Sequence, residues 1–218
     1  AIYVADLYEQ RIDHGAHYQG RVDKTNGRVY RLHGKNHPVT EKFDLSKLSS
    51  QQLIKVLENP NKWYRQTALR LFGDRRDQSV IAPLRSLVQE ESDLLALNAL
   101  WALNLSGGLD EDFAAIALRH KDPYVRSWTT RLMCDNHQVS ANLGRQLAEL
   151  AKEEPHVEVR SQLACSARRL PLNSSLAITQ QLLTHSQDAS DIHMPLLLWW
   201  AIETHVEADP VAVVKLFE

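Results

Sequence analysis

Asp122-Pro123-Tyr124-Val125-Arg126-Ser127-Trp128-Thr129-Thr130-Arg131-Leu132 is the stretch that decides the fold. An aspartate ahead of a proline opens a helix. The N–H that proline lacks is no loss in the first turn. Val125, Trp128, Thr129 and Leu132 then fall at i, i+3, i+4 and i+7, an apolar stripe with Arg126 beside it.

The same order of events recurs along the chain. Pro60 leads to Trp63, Arg65, Ala68 and Leu71. Pro155 leads to Val157, Val159, Arg160 and Leu163, and Asp191 leads to Met194, Pro195, Leu198 and Trp199. A further copy, from Glu91 to Trp101, keeps the stripe without the proline or the arginine. Aligned on Ala68, Ala99, Thr129, Leu163 and Leu198, the copies stand 31, 30, 34 and 35 residues apart. Second helices are expected between them at 79–90, 110–120, 140–153 and 171–185, with Ser79, Asp110 and Ser140 as cap candidates. A helix at 50–58 precedes the first copy and one at 209–218 follows the last. Two helices per ~30–35 residues is the period of an α-solenoid, where each pair buries its apolar face only against its neighbours. The expected fold is therefore mainly α: a right-handed α-α superhelix of about five helix pairs over 44–218. More than half of the chain should be helical. Leu71, Ala99, Leu132 and Leu163 should be nearly inaccessible to water.

Residues 1–43 read differently. Segment 2–8 is rich in β-branched and aromatic residues, and 28–32 alternates polar with apolar after the turn signal Asn26-Gly27. A short β-hairpin-like segment is expected. Two strands alone are marginal in water. Ile2, Val4, Val29, Tyr30 and Leu32 should therefore pack on the first helix around Leu48, Leu53 and Leu57, or pair with another copy as a dimer through the β segment. The sequence opens at Ala1, without an initiator Met or a signal-peptide pattern, and is expected to be part of a longer chain.

Composition narrows the function classes. The 218 residues carry 25 Lys+Arg against 27 Asp+Glu, a net charge of −2, which argues against a nucleic-acid partner. The apolar run 195–202 is far shorter than the ~20 residues a membrane span needs, so no direct membrane insertion is expected. Cys134 and Cys165, nearly one repeat apart, should be buried free thiols.

Asp122-Pro123, Val125 and Arg126, followed by a helix rich in small residues, resemble the start of a HEAT repeat. Pro155, Val157, Val159 and Arg160 make a looser copy, and the resemblance covers 44–218. A closer one comes from the first residues. Tyr3-Val4-Ala5-Asp6, Arg11-Ile12-Asp13-His14 and Gly27-Arg28-Val29-Tyr30-Arg31-Leu32 resemble the last blade of a sugar-dehydrogenase-type β-propeller. Segments 61–71, 99–108 and 160–166 are similar to large bacterial membrane-bound dehydrogenases that join a quinoprotein-like propeller, HEAT repeats and a c-type cytochrome. The resemblance implies an oxidoreductase parent, exported or membrane-associated (periplasmic). Within it, this segment would be a non-catalytic scaffold that holds a protein partner or the parent's other domains. Leu7 departs from the expected Trp, and no Cys-x-x-Cys-His for haem attachment occurs. No catalytic or cofactor-binding residue is assigned and no cofactor is expected.

The alternative is a metal-binding or catalytic module in the N-terminal histidines. His14 and His17, with Asp13, His33 and His37 near in sequence, offer imidazole and carboxylate ligands for zinc or another transition metal. Asp6, Asp13 and Asp23 make a weaker calcium set. Arg65, Arg126 and Arg160 recur at one repeat position, as a row for a ligand or, better, a hydrogen-bonded ladder between repeats. Trp63, Trp101, Trp128, Trp199 and Trp200 read as packing between repeats, or as an aromatic platform. Adjacent helical residues diverge by about 100°, so Trp199 and Trp200 cannot both point inward.

Overall fold

A computed structural model describes residues 2–5, 19, 27–36 and 43–217. The chain divides into two compact units, Ala1–Phe43 and Asp44–Glu218. In the first, β1 (Ile2–Ala5) pairs antiparallel with β2 (Val29–Leu32), Ile2 opposite Leu32 and Val4 opposite Tyr30. Strand alternation gathers these four side chains on one face. All eight strand residues are exposed. The expected continuation of β1 to residue 8 lies outside the described residues.

The second unit holds eleven α-helices among the described residues: α1 (Ser50–Val56), α2 (Lys62–Arg75), α3 (Ile81–Glu90), α4 (Asp93–Leu105), α5 (Glu111–Ala117), α6 (Pro123–Cys134), α7 (Ala141–Glu153), α8 (Val157–Ala167), α9 (Leu172–Leu182), α10 (Met194–Val206) and α11 (Pro210–Val214). About two-thirds of the described residues are helical. Alternate helices lie side by side in two layers. The first layer runs α2, α4, α6, α8, α10 and carries the recurring stripe; α3, α5, α7 and α9 form the second. With α11 closing the series, these make five pairs after α1. This is the expected mainly α, HEAT-like stack.

Local chemistry explains where the helices start. Asp122 accepts a hydrogen bond from the Tyr124 N–H, and Asn61 one from Trp63, each capping its helix. Asp110 and Ser140 cap α5 and α7, as expected. Ser79 does not cap. The Asp77 carboxylate takes the Ser79 N–H and opens a 3₁₀ turn at Gln78–Val80, so α3 begins only at Ile81. Gly107 ends the segment after α4 at φ 79°, a left-handed position that suits glycine.

The core of this unit forms two apolar clusters that meet at α6. Leu53, Phe72, Leu84, Leu100 and Leu103 belong to the first, and Leu147, Leu163, Ile178 and Met194 to the second. Leu53 and Leu57, expected to receive the hairpin, are buried in the first cluster. The alignment positions Ala68, Ala99, Thr129 and Leu163 are fully buried. Leu132 is a correction: it is only half-buried. The inward arc of α6 centres on Thr129, Thr130 and Cys134, and Leu132 falls at its margin. Thr129 and Thr130 are tolerated there because their hydroxyls donate back to the Val125 and Arg126 carbonyls. Cys165 is a second correction. It is exposed, because α8 turns Val159, Leu163, Ala164 and Ala167 inward and Cys165 lies on the opposite side. Cys134 is buried, and burial pushes its thiol up to about 11.

His205, near the end of α10, is buried and its Nε2 has no partner. Burial holds its pKa below the ordinary value. The unfolded chain therefore binds the proton more readily. Stability from this residue is complete above about pH 6.5 and falls as pH drops toward the folded value. Urea midpoints at pH 7.5 and 5.5 should differ less for His205→Leu than for the parent chain. An equal difference would show that His205 is solvated.

Candidate functional site

The loops that enter the first-layer helices are tied into a chain along one edge. Each recurring arginine reaches back six residues with one guanidinium N–H: Arg65 to the Asn59 carbonyl at 2.6 Å, Arg126 to His120 at 2.7 Å, Arg160 to Glu154 at 2.9 Å. Two of them also reach forward into the next repeat. Arg126 grips the Glu154 carboxylate bidentately at 2.7 and 2.6 Å, and Arg160 grips Asp188 at 2.6 and 2.5 Å. Glu154 joins the two rungs, since its side chain accepts from Arg126 while its carbonyl accepts from Arg160. Arg160 and Asp188 are almost fully buried, and the Asp188 hydrogen bonds hold the guanidinium more firmly charged than usual. The ladder reading of Arg126 and Arg160 is thus seen directly, while Arg65 clamps only its own loop. All three guanidinium nitrogens of Arg126 and of Arg160 make hydrogen bonds inside the fold.

Sequence reading missed the carboxylates of this ladder. A signal was present: each lies 28 residues after its arginine. The same offset from Arg65 gives Asp93, whose carboxylate instead meets the Ser92 hydroxyl and whose N–H donates to Asp122. Two histidines missed in the sequence complete the edge. His120 Nε2 contacts the Glu91 carbonyl while its Nδ1 accepts from the Asp122 N–H. His185 Nε2 contacts the Ala151 carbonyl at 2.7 Å.

Two hollows open in the second layer, where α5 is shorter than its neighbours α3 and α7. One, about 520 Å³, lies against Val88, Phe113 and Ile116; the other, about 400 Å³, against Gln146, Glu149 and Glu153. Arg119, His120 and Lys121 border both. No serine, threonine or cysteine lines either one, and both ring nitrogens of His120 are engaged in holding loops. Neither hollow therefore offers a hydroxyl or thiol nucleophile.

The outward face of the first layer is different. Trp63, Leu94 and Tyr124 stand at one register position on α2, α4 and α6 and are about half exposed, at 54%, 49% and 54%. Towards the other end of the helices Trp101 meets Trp128 edge-on, ring centroids 4.9 Å apart, across α4 and α6. Those two serve the expected packing between repeats. Trp63, Trp199 and Trp200 are a correction to the packing reading: all three are exposed, and on α10 the reason is that Leu198, Ala201 and Ile202 turn inward and leave both Trp199 and Trp200 outside.

His14, His17 and His37, together with Asp6, Asp13 and Asp23, lie outside the described residues. His33 is described and exposed, its Nδ1 near the Gly34 carbonyl. Among the described residues no group of three or more His, Cys, Asp and Glu could hold a metal. Stoichiometric metal in the purified chain, lost in a His14→Ala/His17→Ala variant, would mark a site at those two histidines; its absence would remove it. No described helix is long and apolar enough to cross a membrane.

Residues 50–133 match the family model of HEAT repeats. The match ends inside α6, where the first core cluster gives way to the second. No curated protein matches the chain.

Proposed function

We propose that this chain is a non-catalytic scaffold that binds protein through the outer surface of a HEAT-like stack. The observation that carries this is the row Trp63, Leu94 and Tyr124, large apolar side chains presented at one position on successive helices. Exposed apolar groups repeated in register mark interaction surfaces more often than chance exposure does. HEAT repeats commonly serve this purpose, and solenoid stacks offer long surfaces for it. We read the parent as a larger protein resembling the membrane-bound dehydrogenases, with the solenoid joining a propeller oxidoreductase to other domains or an electron-accepting protein. Supporting that reading are the β1 and β2 segments and the phrases at 61–71 and 99–108.

A photo-crosslinking residue at Leu94 or Tyr124 tests the scaffold. It should capture a defined protein in cells of the source organism, and the same probe at Asn173, exposed on the second layer, should not. Equal capture at both positions would remove the surface assignment. The hairpin, with Ile2, Val4, Tyr30 and Leu32 on one exposed face, is proposed as a route to a dimer. Light scattering should then show a dimer that Val4→Lys/Leu32→Lys converts to monomer; a monomeric parent chain would end that proposal.

A further inference from the structure

Arg70 and Arg131 are exposed on α2 and α6, and Arg168 is exposed at the C-terminal end of α8. Among the described residues no carboxylate pairs with any of them. Asp74 and Glu203 share this side of the layer without forming an ion pair, and Asp135 is held by Arg169 at 3.4 Å. Two of the three guanidinium groups lie over indoles: Arg131 is 5.0 Å from the Trp128 ring centre, and Arg168 is 5.5 Å from that of Trp200. Trp101 abuts Trp128 from α4. The exposed Cys165 thiol is near enough to Arg131, Arg168 and Arg169 to feel their charge. Trp101, Trp128, Arg131, Cys165, Arg168 and Trp200 therefore make one surface across four successive first-layer helices.

A guanidinium held 5.0–5.5 Å over an indole is attracted to the ring face, and with no carboxylate paired to it its N–H groups remain available to an outside acceptor. Such groups match a carboxylate in a two-point, charge-assisted hydrogen bond. The rings on either side supply apolar contact at small entropic cost. Packed helices lie roughly 8–10 Å apart. A chain in the polyproline II conformation covers that in about three residues and brings residues three apart to the same side. We infer that this tryptophan–arginine surface binds an extended acidic segment of a protein partner, with carboxylates about three residues apart, one on Arg131 and one on Arg168. The inference rests on the scaffold reading and names the partner's chemistry.

A fluorescein-labelled peptide of four Glu-Ser-Leu repeats is the probe, followed by anisotropy with the full chain. Its lysine counterpart and a single-stranded 12-mer DNA are the comparisons. The acidic peptide should bind saturably, lose affinity as salt rises, and slow the alkylation of Cys165. Arg131→Glu/Arg168→Glu should weaken binding by about tenfold or more, as reversing charges that meet a partner does. Both arginines are exposed and in no ion pair, so the variant should still unfold in a cooperative transition, displaced only by the loss of the two arginine–indole contacts. No saturable binding up to about 1 mM, equal binding of the lysine peptide, or an unchanged variant would overturn the proposal. Tighter binding of the DNA would overturn it too, since the surface would then read phosphate. A partner captured at Leu94 or Tyr124 that the double variant still holds equally well would overturn this inference and leave the scaffold standing.

Discussion

Asp188→Ala should destabilise the chain by about 3–5 kcal/mol, the usual cost of stranding one member of a buried pair. Arg160 is 3% exposed and Asp188 5%. Removing the carboxylate leaves a guanidinium with two donors unmet and no water to meet them. The remaining N–H still holds the Glu154 carbonyl, so the cation cannot simply swing out. Arg160→Met/Asp188→Leu should recover most of the loss, because an apolar pair of similar volume avoids the desolvation that the ion pair must overcome. Arg85 and Asp110 give the contrast. They meet at 2.5 Å, but with side chains 33% and 57% exposed; the ion pair itself should contribute roughly 0–1 kcal/mol, and Arg85→Ala additionally loses the bonds to the Gly108 carbonyl and the contact with Phe113. Equilibrium unfolding in urea measures all of these. A loss under about 1 kcal/mol for Asp188→Ala would show that water reaches the rung.

Phe72→Ala should cost about 3–5 kcal/mol, from lost transfer energy plus a cavity that rigid neighbours cannot close. Phe72 is 1% exposed and is among the largest side chains fully buried in the first cluster. Helices on both sides are pinned: the Arg75 guanidinium holds the Leu48 and Ser46 carbonyls, and Gln78 holds the Ser106 carbonyl. Collapse into the void would have to break those bonds. In a stack of repeats each unit leans on the next, so the damage should be read regionally as well as globally. Hydrogen exchange should quicken first in α2 and α4 and least in α9 and α10. Uniform quickening along the whole stack would mean that the two core clusters unfold as one cooperative body.

The repeat itself was legible in one dimension. The spacing of Ala68, Ala99, Thr129, Leu163 and Leu198 fixes which helices are equivalent, and those positions are buried in the structure. Period and capping are local properties: a stripe at i, i+3, i+4 and i+7, or an aspartate before a proline, acts within a turn or two of chain. That is why Asp110 and Ser140 were readable as caps. Ser79 misled because the Asp77 carboxylate and the Ser79 hydroxyl, two residues apart, compete to open the same helix, and the sequence does not rank them.

What tertiary structure alone decided is which side of each helix faces inward, and who meets whom across repeats. A stripe names a face to within one residue in either direction, about 100° of rotation. Packing against two neighbours selects the arc, and so Leu132 came out half-buried and Cys165 exposed. The partners of Arg126 and Arg160 sit 28 residues away, a separation that no local rule ranks above any other. They meet because stacking brings each entry loop beside the next. The same stacking brings Arg168, at the end of α8, over Trp200 from α10, whereas Arg131 meets Trp128 three residues before it on its own helix. Sequence therefore determined the repeat and the helices, through interactions a few residues long. The buried ladder and the outer tryptophan–arginine surface came from the stacking of repeats, because only contact between them sets which charges are buried in pairs and which face solvent.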